Sequence, residues 1–369
     1  MSSVQDVQDA GRERENEVYV YRTIEEANAN QWNNAVESAN GGSVFHRYGW
    51  LKVVEEGMDV EPRHVTVEKD GNFRALLPNF VTDFEFPVGI PDTVEDRAFR
   101  DLRSIYPGFG GPLVVGDTEC CLDQLFEGLA AVDDGAIVRH LIRTPDTDSV
   151  QYAQEFERRG YRPYLRTCRF EVDLTRDWEE IEAAMDSNKR SNLRRAKKND
   201  PEVASEELTD EGLSPFYRVH EKNVERVGGT PYPITFFEEL ASELSDRLRM
   251  FTARVDDEVI GRQLTVIDDE RDAVRVMFPA LEAEHFRHNP AELLDEAGMQ
   301  WAREHGYSTY DFGDTNADFS NGAFRYKREF GGRILPVMAW ERGRSRLRWN
   351  AFKIGRRLYR QRNAKNGEG

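Results

Sequence analysis

From Val65 to Leu77 apolar and polar positions alternate on either side of Asp70-Gly71, which predicts a β-hairpin turning at that pair. The segments before it, 24–39 and 46–56, read as helices. The same order returns later in the chain. Residues 235–245 read as a helix, and 251–266 as a second hairpin turning at Asp256-Asp257. Trp50 precedes Val65 by fifteen positions and Phe236 precedes Phe251 by the same number, a constant offset of 186. A helix (121–133) and a strand (136–142) follow the first hairpin, whereas a strand (273–278) precedes the helix Pro290–Glu304 after the second. Each half also ends a helix in Gly-Tyr, at Gly160-Tyr161 and Gly306-Tyr307, with glycine where a left-handed helix cap belongs. Several elements repeating in order point to a tandem duplication. Mixed helices and mostly antiparallel strands make each copy α+β.

Composition narrows the class. The chain has 369 residues, enough for two domains, and a formal charge of −18. No apolar run approaches the ~18 residues of a membrane span. Residues 1–17 are polar and read as a disordered N-terminus without the apolar stretch of a secretion signal. Cys120, Cys121 and Cys168 form no CxxC pair, which argues against a disulfide framework and a zinc ribbon. Only nine lysines stand against 41 arginines. An acidic, lysine-poor surface suits a salt-rich cytosol, so the expectation is a cytoplasmic, halophilic protein of haloarchaeal type. From Arg342 onward there are ten basic residues and one acid, so the first 341 residues carry −27. Such a body opposes broad nucleic-acid binding, and DNA is not expected as a partner.

Three segments could carry chemistry. The first, 177–199, reads as one helix docked through Trp178, Ile181 and Met185, with six cations crowding its C-terminal half. Arg190 and Arg194 lie four apart on one face, fit to hold a phosphate or carboxylate, although cations near a helix C-terminus also complement its dipole. The second, 309–332, reads as a strand ending near Asp311, a polar loop, and a short helix bearing Lys327. A compact ammonium there can stand beside a phosphoryl group or an oxyanion. Asp311 is a candidate base at a strand end, where aspartates also commonly cap a loop. In the third, 278–294, Pro290 opens a helix capped by Asn289, with His285, Arg287 and His288 just before it, an arrangement suited to an anion. The seven histidines form no HExxH, so no metal is expected. The run 107–112 (Pro-Gly-Phe-Gly-Gly-Pro) reads as a turn.

Taken together, Val44–Leu51 (VFHRYGWL), 110–113 (GGPL), 190–194 (RSNLR), 229–237 (GTPYPITFF), 310–313 (YDFG) and 324–331 (FRYKREFG) resemble the FemAB-like proteins, the BioF2-like acetyltransferase branch of the GNAT superfamily. The resemblance runs from about residue 25 to 341. It implies two tandem GNAT-like (acyl-CoA N-acyltransferase) domains, 18–165 and 166–341, with mixed, mostly antiparallel sheets and the active cleft in the second. It implies transfer of an acetyl or aminoacyl group to an amine by direct attack, from acyl-CoA (acetyl-CoA) or from aminoacyl-tRNA. Lys327 matches the lysine that stabilises charge near the phosphate or oxyanion, although Arg325 and Tyr326 intervene after Phe324. Arg190, with Arg194, matches a substrate-phosphate segment. His46, Tyr48 and Tyr232, inside the shared motifs, are assigned to substrate, and Arg287, His288 and Asn289 to the donor. The glycine-rich pyrophosphate loop of ordinary GNATs is absent between Phe278 and Leu294. The acceptor is expected to be small or an envelope precursor, lipid-linked acceptors included.

Residues 342–369 form a basic amphipathic pattern. Leu347, Ala351, Ile354 and Leu358 fall on one stripe, suited either to an anionic membrane surface at the inner face or to the acidic body of the same chain. The rival to catalysis is a GNAT-like module that only binds a phosphorylated glycan or RNA; Lys327 within its motif is the feature such a binder has no reason to keep.

Overall fold

Asp70 and Gly71 adopt φ of 54° and 72°, and Asp256 and Asp257 adopt 50° and 63°. Both hairpins therefore close on two left-handed residues, the turn whose twist matches paired strands. The computed structural model describes residues 15–83, 100–132, 136–145, 150–345, 348–350 and 353–354. The strands of the first half are β1 (Glu17–Tyr21), β2 (Glu61–Pro62), β3 (His64–Lys69), β4 (Asn72–Leu77), β5 (Phe80–Asp83), β6 (Arg100–Ser104), β7 (Leu113–Val114), β8 (Ile137–Pro145) and β9 (Arg162–Asp173). Those of the second are β10 (Glu202–Glu206), β11 (Leu248–Val255), β12 (Glu258–Asp268), β13 (Ala273–Ala280), β14 (Thr309–Asn316) and β15 (Arg333–Gly343). They form a four-stranded sheet, β1-β3-β4-β7, and an eleven-stranded one, β10-β11-β12-β13-β14-β9-β15-β8-β6-β5-β2. Pairing is antiparallel except for β6 with β8 and β13 with β14.

The duplication is visible element by element. Helix Tyr48–Gly57 recurs 186 positions later as Ile234–Glu243, and the β3–β4 hairpin as β11–β12. The two equivalent helices pack on each other. Trp50 meets Phe236 edge-on at 6.1 Å, and Lys52 reaches Glu243 at 2.9 Å. Gly57 permits this approach, because a Cβ there would lie 2.5 Å from the Phe236 Cα. Gly57→Ala is expected to destabilise by about 1–3 kcal/mol through overpacking, read as a lower urea midpoint. The glycine caps match as well: the N–H groups of Tyr161 and Tyr307 each return 2.9 Å to the carbonyls of Phe156 and Ala302. Where the pattern showed no strand before the first-half helix, β6 is present, so the order strand–helix–strand holds in both halves.

The two copies exchange their last strands. β9 pairs with β14 of the second half, and β15 pairs with β8 of the first, while β9 and β15 pair with each other across the middle. The boundary expected at 165/166 falls inside β9. One aromatic core, with Phe45, Trp50, Phe236, Phe237 and Phe278 all at most 3% exposed, draws on both halves.

Three local expectations are corrected. Segment 177–199 is two helices, Trp178–Ala184 and Ser187–Ala196, broken where Asp186 caps the second by accepting the Asn188 N–H at 2.8 Å. The first helix begins at Ala29, behind Asn28, which accepts the Gln31 N–H. Glu17 already belongs to β1, so the polar N-terminus gives way to sheet there. Residues 1–14 and most of the basic tail lie outside the described residues. Among the described residues no helix is long and apolar enough to cross a membrane.

Candidate active site

β13 and β14 run parallel for three pairs, ending at Arg275 opposite Asp311, and then part. β13 stays with β12 as far as Ala280, and β14 stays with β9 across a register shift between Asp311 and Asp314. Gly313 sits in that shift at φ 71°, with the Val276 carbonyl oxygen 2.5 Å from where a Cβ would be, so only glycine fits. The result is a wedge, a stretch beyond Arg275 and Asp311 in which β13 and β14 no longer pair. Its counterpart beyond β6 and β8 is filled by the chain itself: the Gly110 N–H donates to the Arg143 carbonyl at 2.7 Å, and Phe109, 2% exposed, plugs the space. The glycine-rich run is thus a turn with a packing task.

Lys327, on the short helix Gly322–Arg328, points into the bulge at the mouth of the open wedge. Its Nζ donates to the Gly313 carbonyl at 3.0 Å and the Asp314 carbonyl at 2.8 Å, two of the three donors an ammonium has. Burial lowers its pKa from 10.5, opposed by the nearby Asp311 and Asp314 carboxylates.

Asp311 takes the capping role that strand-end aspartates commonly have. It is fully buried, bonded by Arg169 and Arg275, and accepts the Gly313 N–H at 2.7 Å. Burial alone would raise its pKa, but Arg275, Arg169 and that N–H outweigh it and hold the carboxyl below 3.8. A saturated, strongly ionised carboxylate is a poor base; Asp311 anchors the root of the wedge.

The other expected site residues divide. Tyr232 lies at the wedge with Tyr106 of the first half, rings 6.2 Å apart and edge-on; burial first, then Tyr106, push its hydroxyl pKa up. Arg143 of the first half pairs there with Asp314. His46 is 1% exposed and bonded to Ser43 at 2.9 Å; burial, with Arg271 nearby, drives its pKa down to about 3, so it is a neutral core residue and not a substrate ligand. Tyr48 packs against the shared core, among Lys52, Glu25 and Glu243, away from the wedge. Arg190 donates to the Glu182, Ala183 and Met185 carbonyls. The helix break turns it back to cap the preceding helix, so Arg190→Ala is expected to lower stability by about 1 kcal/mol with donor affinity unchanged. Arg194 is exposed.

Two cations of the basic segment, Lys189 on Ser187–Ala196 and Lys197 just after it, find partners on Pro290–Glu304. Lys189, 1% exposed, reaches Glu292 at 3.2 Å and lies 3.6 Å from the Tyr326 ring centre, and Lys197 reaches Glu296 at 2.8 Å. Asp295, between those acids, accepts Tyr326 at 2.6 Å, Tyr310 at 3.0 Å and Gln263 at 3.0 Å; burial raises its pKa against those bonds. The acids at 292, 295 and 296, facing a basic helix, were the sequence signal for this buried network. Arg143 and Tyr106 gave none.

At the N-terminus of Pro290–Glu304 the expected cap is absent: Asn289 takes φ 51° and its side chain bonds no helix amide. Arg287 donates to His288 at 2.9 Å, and His288 contacts Asn199 at 3.3 Å. Glu282, Glu284 and His285 bring ligand-type atoms within 4.8 Å of one another, and Glu284 is exposed, the character of a solvated acidic loop. These acids stand where an anion was expected and oppose it.

Residues 187–328 match the family model of the acetyltransferase (GNAT) domain. Among solved structures the chain is similar to FemX (15% identity, TM-score 0.64, 89% of this chain and 97% of that one). It is similar also to the C-terminal domain of a putative lysylphosphatidylglycerol synthetase from Agrobacterium fabrum (14%, 0.55, 90% and 96%). A third is a tandem GNAT protein from the clavulanic acid biosynthesis pathway (11%, 0.54, 89% and 98%). No curated protein matches the chain. At these identities the likeness is one of fold, and that fold is the tandem GNAT-like one.

Proposed function

We propose that this chain, whose second half carries a GNAT acetyltransferase domain, is an N-acyltransferase that works in the β13–β14 wedge. The observation that supports this most is Lys327 fixed at the wedge mouth, with one ammonium N–H left beyond its two carbonyl bonds. An acceptor amine attacks the carbonyl of a thioester or ester laid along the unpaired edges of β13 and β14. The new C–N bond forms, the C–S or C–O bond breaks, and the amine proton leaves with the thiol or alcohol. The tetrahedral oxyanion develops beside the Lys327 ammonium, which stabilises it. Asp311 keeps the wedge open and takes no proton, and no covalent enzyme intermediate is needed.

Two donors suit this geometry, acyl-CoA and aminoacyl-tRNA. The acyl end of either fits the wedge. The pyrophosphate of CoA would meet Arg287 and His288 but also Glu282 and Glu284, which weakens that end. Working conditions in this reading are a salt-rich cytosol, as the charge of −18 suggests. Calorimetry in molar KCl separates the donors. Acetyl-CoA binding at micromolar affinity assigns the donor to acyl-CoA, and silence in folded protein assigns it to aminoacyl-tRNA. Absence of acyl transfer with both donors supports the rival that only binds.

A further inference from the structure

Arg143 and Asp314 come from opposite halves, 171 positions apart, and form an ion pair at the wedge mouth. The pair is part-exposed, with side-chain exposures of 22% and 33%, whereas Asp311 nearby is closed from solvent. Each member is tethered on its far side. Arg143 Nη1 donates to the Gly108 carbonyl at 3.2 Å, and the backbone of Asp314 is held by Lys327 at 2.8 Å. Tyr106 and Tyr232 wall the same space, and the Tyr232 hydroxyl feels both charges.

An ion pair at a site mouth selects for charge balance. A ligand with a single charge would draw one partner away and leave the other without its counter-ion beside the half-buried Tyr106 and Tyr232 rings, so it gains one ion pair and loses another. A ligand with a carboxylate and an ammonium a few ångströms apart replaces both partners at once: its carboxylate takes the Arg143 fork and its ammonium the Asp314 carboxylate. That nitrogen then lies next to Lys327, and it gives its extra proton to solvent before it attacks as the free amine. We propose that Arg143 and Asp314 form the acceptor-recognition end of the site and select a zwitterionic acceptor, a free amino acid or a molecule ending in one. This rests on the acyltransferase reading for the word acceptor, but the recognition itself is a binding property.

The test titrates the full-length protein in molar KCl with the standard L-amino acids. For any that binds, it adds the amine lacking the carboxylate and the N-acetyl derivative lacking the ammonium. The expected result is binding of at least one amino acid, weakened about tenfold or more by Arg143→Gln and by Asp314→Asn, with both truncated analogues binding weakly to every form. The exchanged variant Arg143→Asp/Asp314→Arg keeps the bridge between the halves, so its urea midpoint stays near that of the unaltered protein. It holds the zwitterion end for end, so affinity returns while turnover does not. Binding of no amino acid, or equal affinity for zwitterion and amine, overturns the proposal. So does recovery of turnover in the exchanged variant. If zwitterion binding follows the two charges but no donor supports transfer, the recognition stands and the acyltransferase reading falls. If transfer to plain amines proceeds unaffected by either substitution, the reverse holds.

Discussion

Lys327→Ala is expected to lower kcat/KM by about 10²–10³-fold, the usual cost of removing one donor from an oxyanion site, with the loss in kcat rather than in donor affinity. The side chain bonds the bulge carbonyls of Gly313 and Asp314, so an unchanged circular-dichroism spectrum of the variant accompanies the kinetics as the check on its fold. Lys327→Arg is expected to rescue little, because a planar guanidinium does not fit the two-carbonyl seat built for a point charge. The pH profile carries the same information. Burial lowers the Lys327 pKa from 10.5. Activity that requires the ammonium therefore falls as pH rises through a value below that, and this alkaline limb disappears in Lys327→Ala. Steady-state kinetics across pH with saturating donor measure both effects. A variant that keeps its turnover takes Lys327 out of the chemistry.

The largest loss of stability is expected from Asp311→Ala, about 3 kcal/mol, the lower end for breaking a buried pair, because it removes the counter-ion that two buried guanidiniums share and leaves Arg169 to Glu171 and Arg275 to Asp268. Arg169 and Arg275 are each 2% exposed, and both stack around Phe109, the residue that plugs the first-half wedge. The carboxylate therefore couples the closed copy to the open one. Its folded pKa is depressed, so its contribution is fully present above the unfolded value near 3.8 and is lost as pH falls through the folded value. Urea denaturation at pH 7 and at successively lower pH reads both statements. A midpoint shift at pH 7 within that of a surface substitution would show the network to be dispensable.

Local patterns carried much of this molecule. The alternation around Asp70-Gly71 and Asp256-Asp257 located both hairpins, and the 186-residue offset located the two helices that now pack as equivalents. What single-chain pattern cannot carry is pairing between distant strands. Nothing in 162–173 says that it leaves its own half for β14, since a run buried on both faces, as 168–172 is, looks the same beside either neighbour. The site shows the same division. Lys327 was legible because lysine is rare in this chain and its motif is recognisable. Arg143 and Tyr106 were not, because only the exchange of strands brings the first half to the wedge. His46 and Asp311 sat in shared motifs or at a strand end, yet fold stability explains both: each is buried, His46 bonded through Nδ1 to Ser43 in a tight turn and Asp311 to arginines that lie far away in sequence. The cations at 189 and 197 looked like a ligand surface until their acids, about a hundred positions on, were placed opposite them.

The central claim is that the β13–β14 wedge performs acyl transfer with Lys327 at its mouth. The most direct measurement incubates purified protein in molar KCl with a mixed pool of amine acceptors and, separately, acetyl-CoA and aminoacyl-tRNA, and follows the products by mass spectrometry. The account predicts a new acylated amine with one of the two donors, lost in Lys327→Ala while that donor still binds. No acylated amine from either donor in folded protein, or equal product from the Lys327→Ala variant, would contradict it.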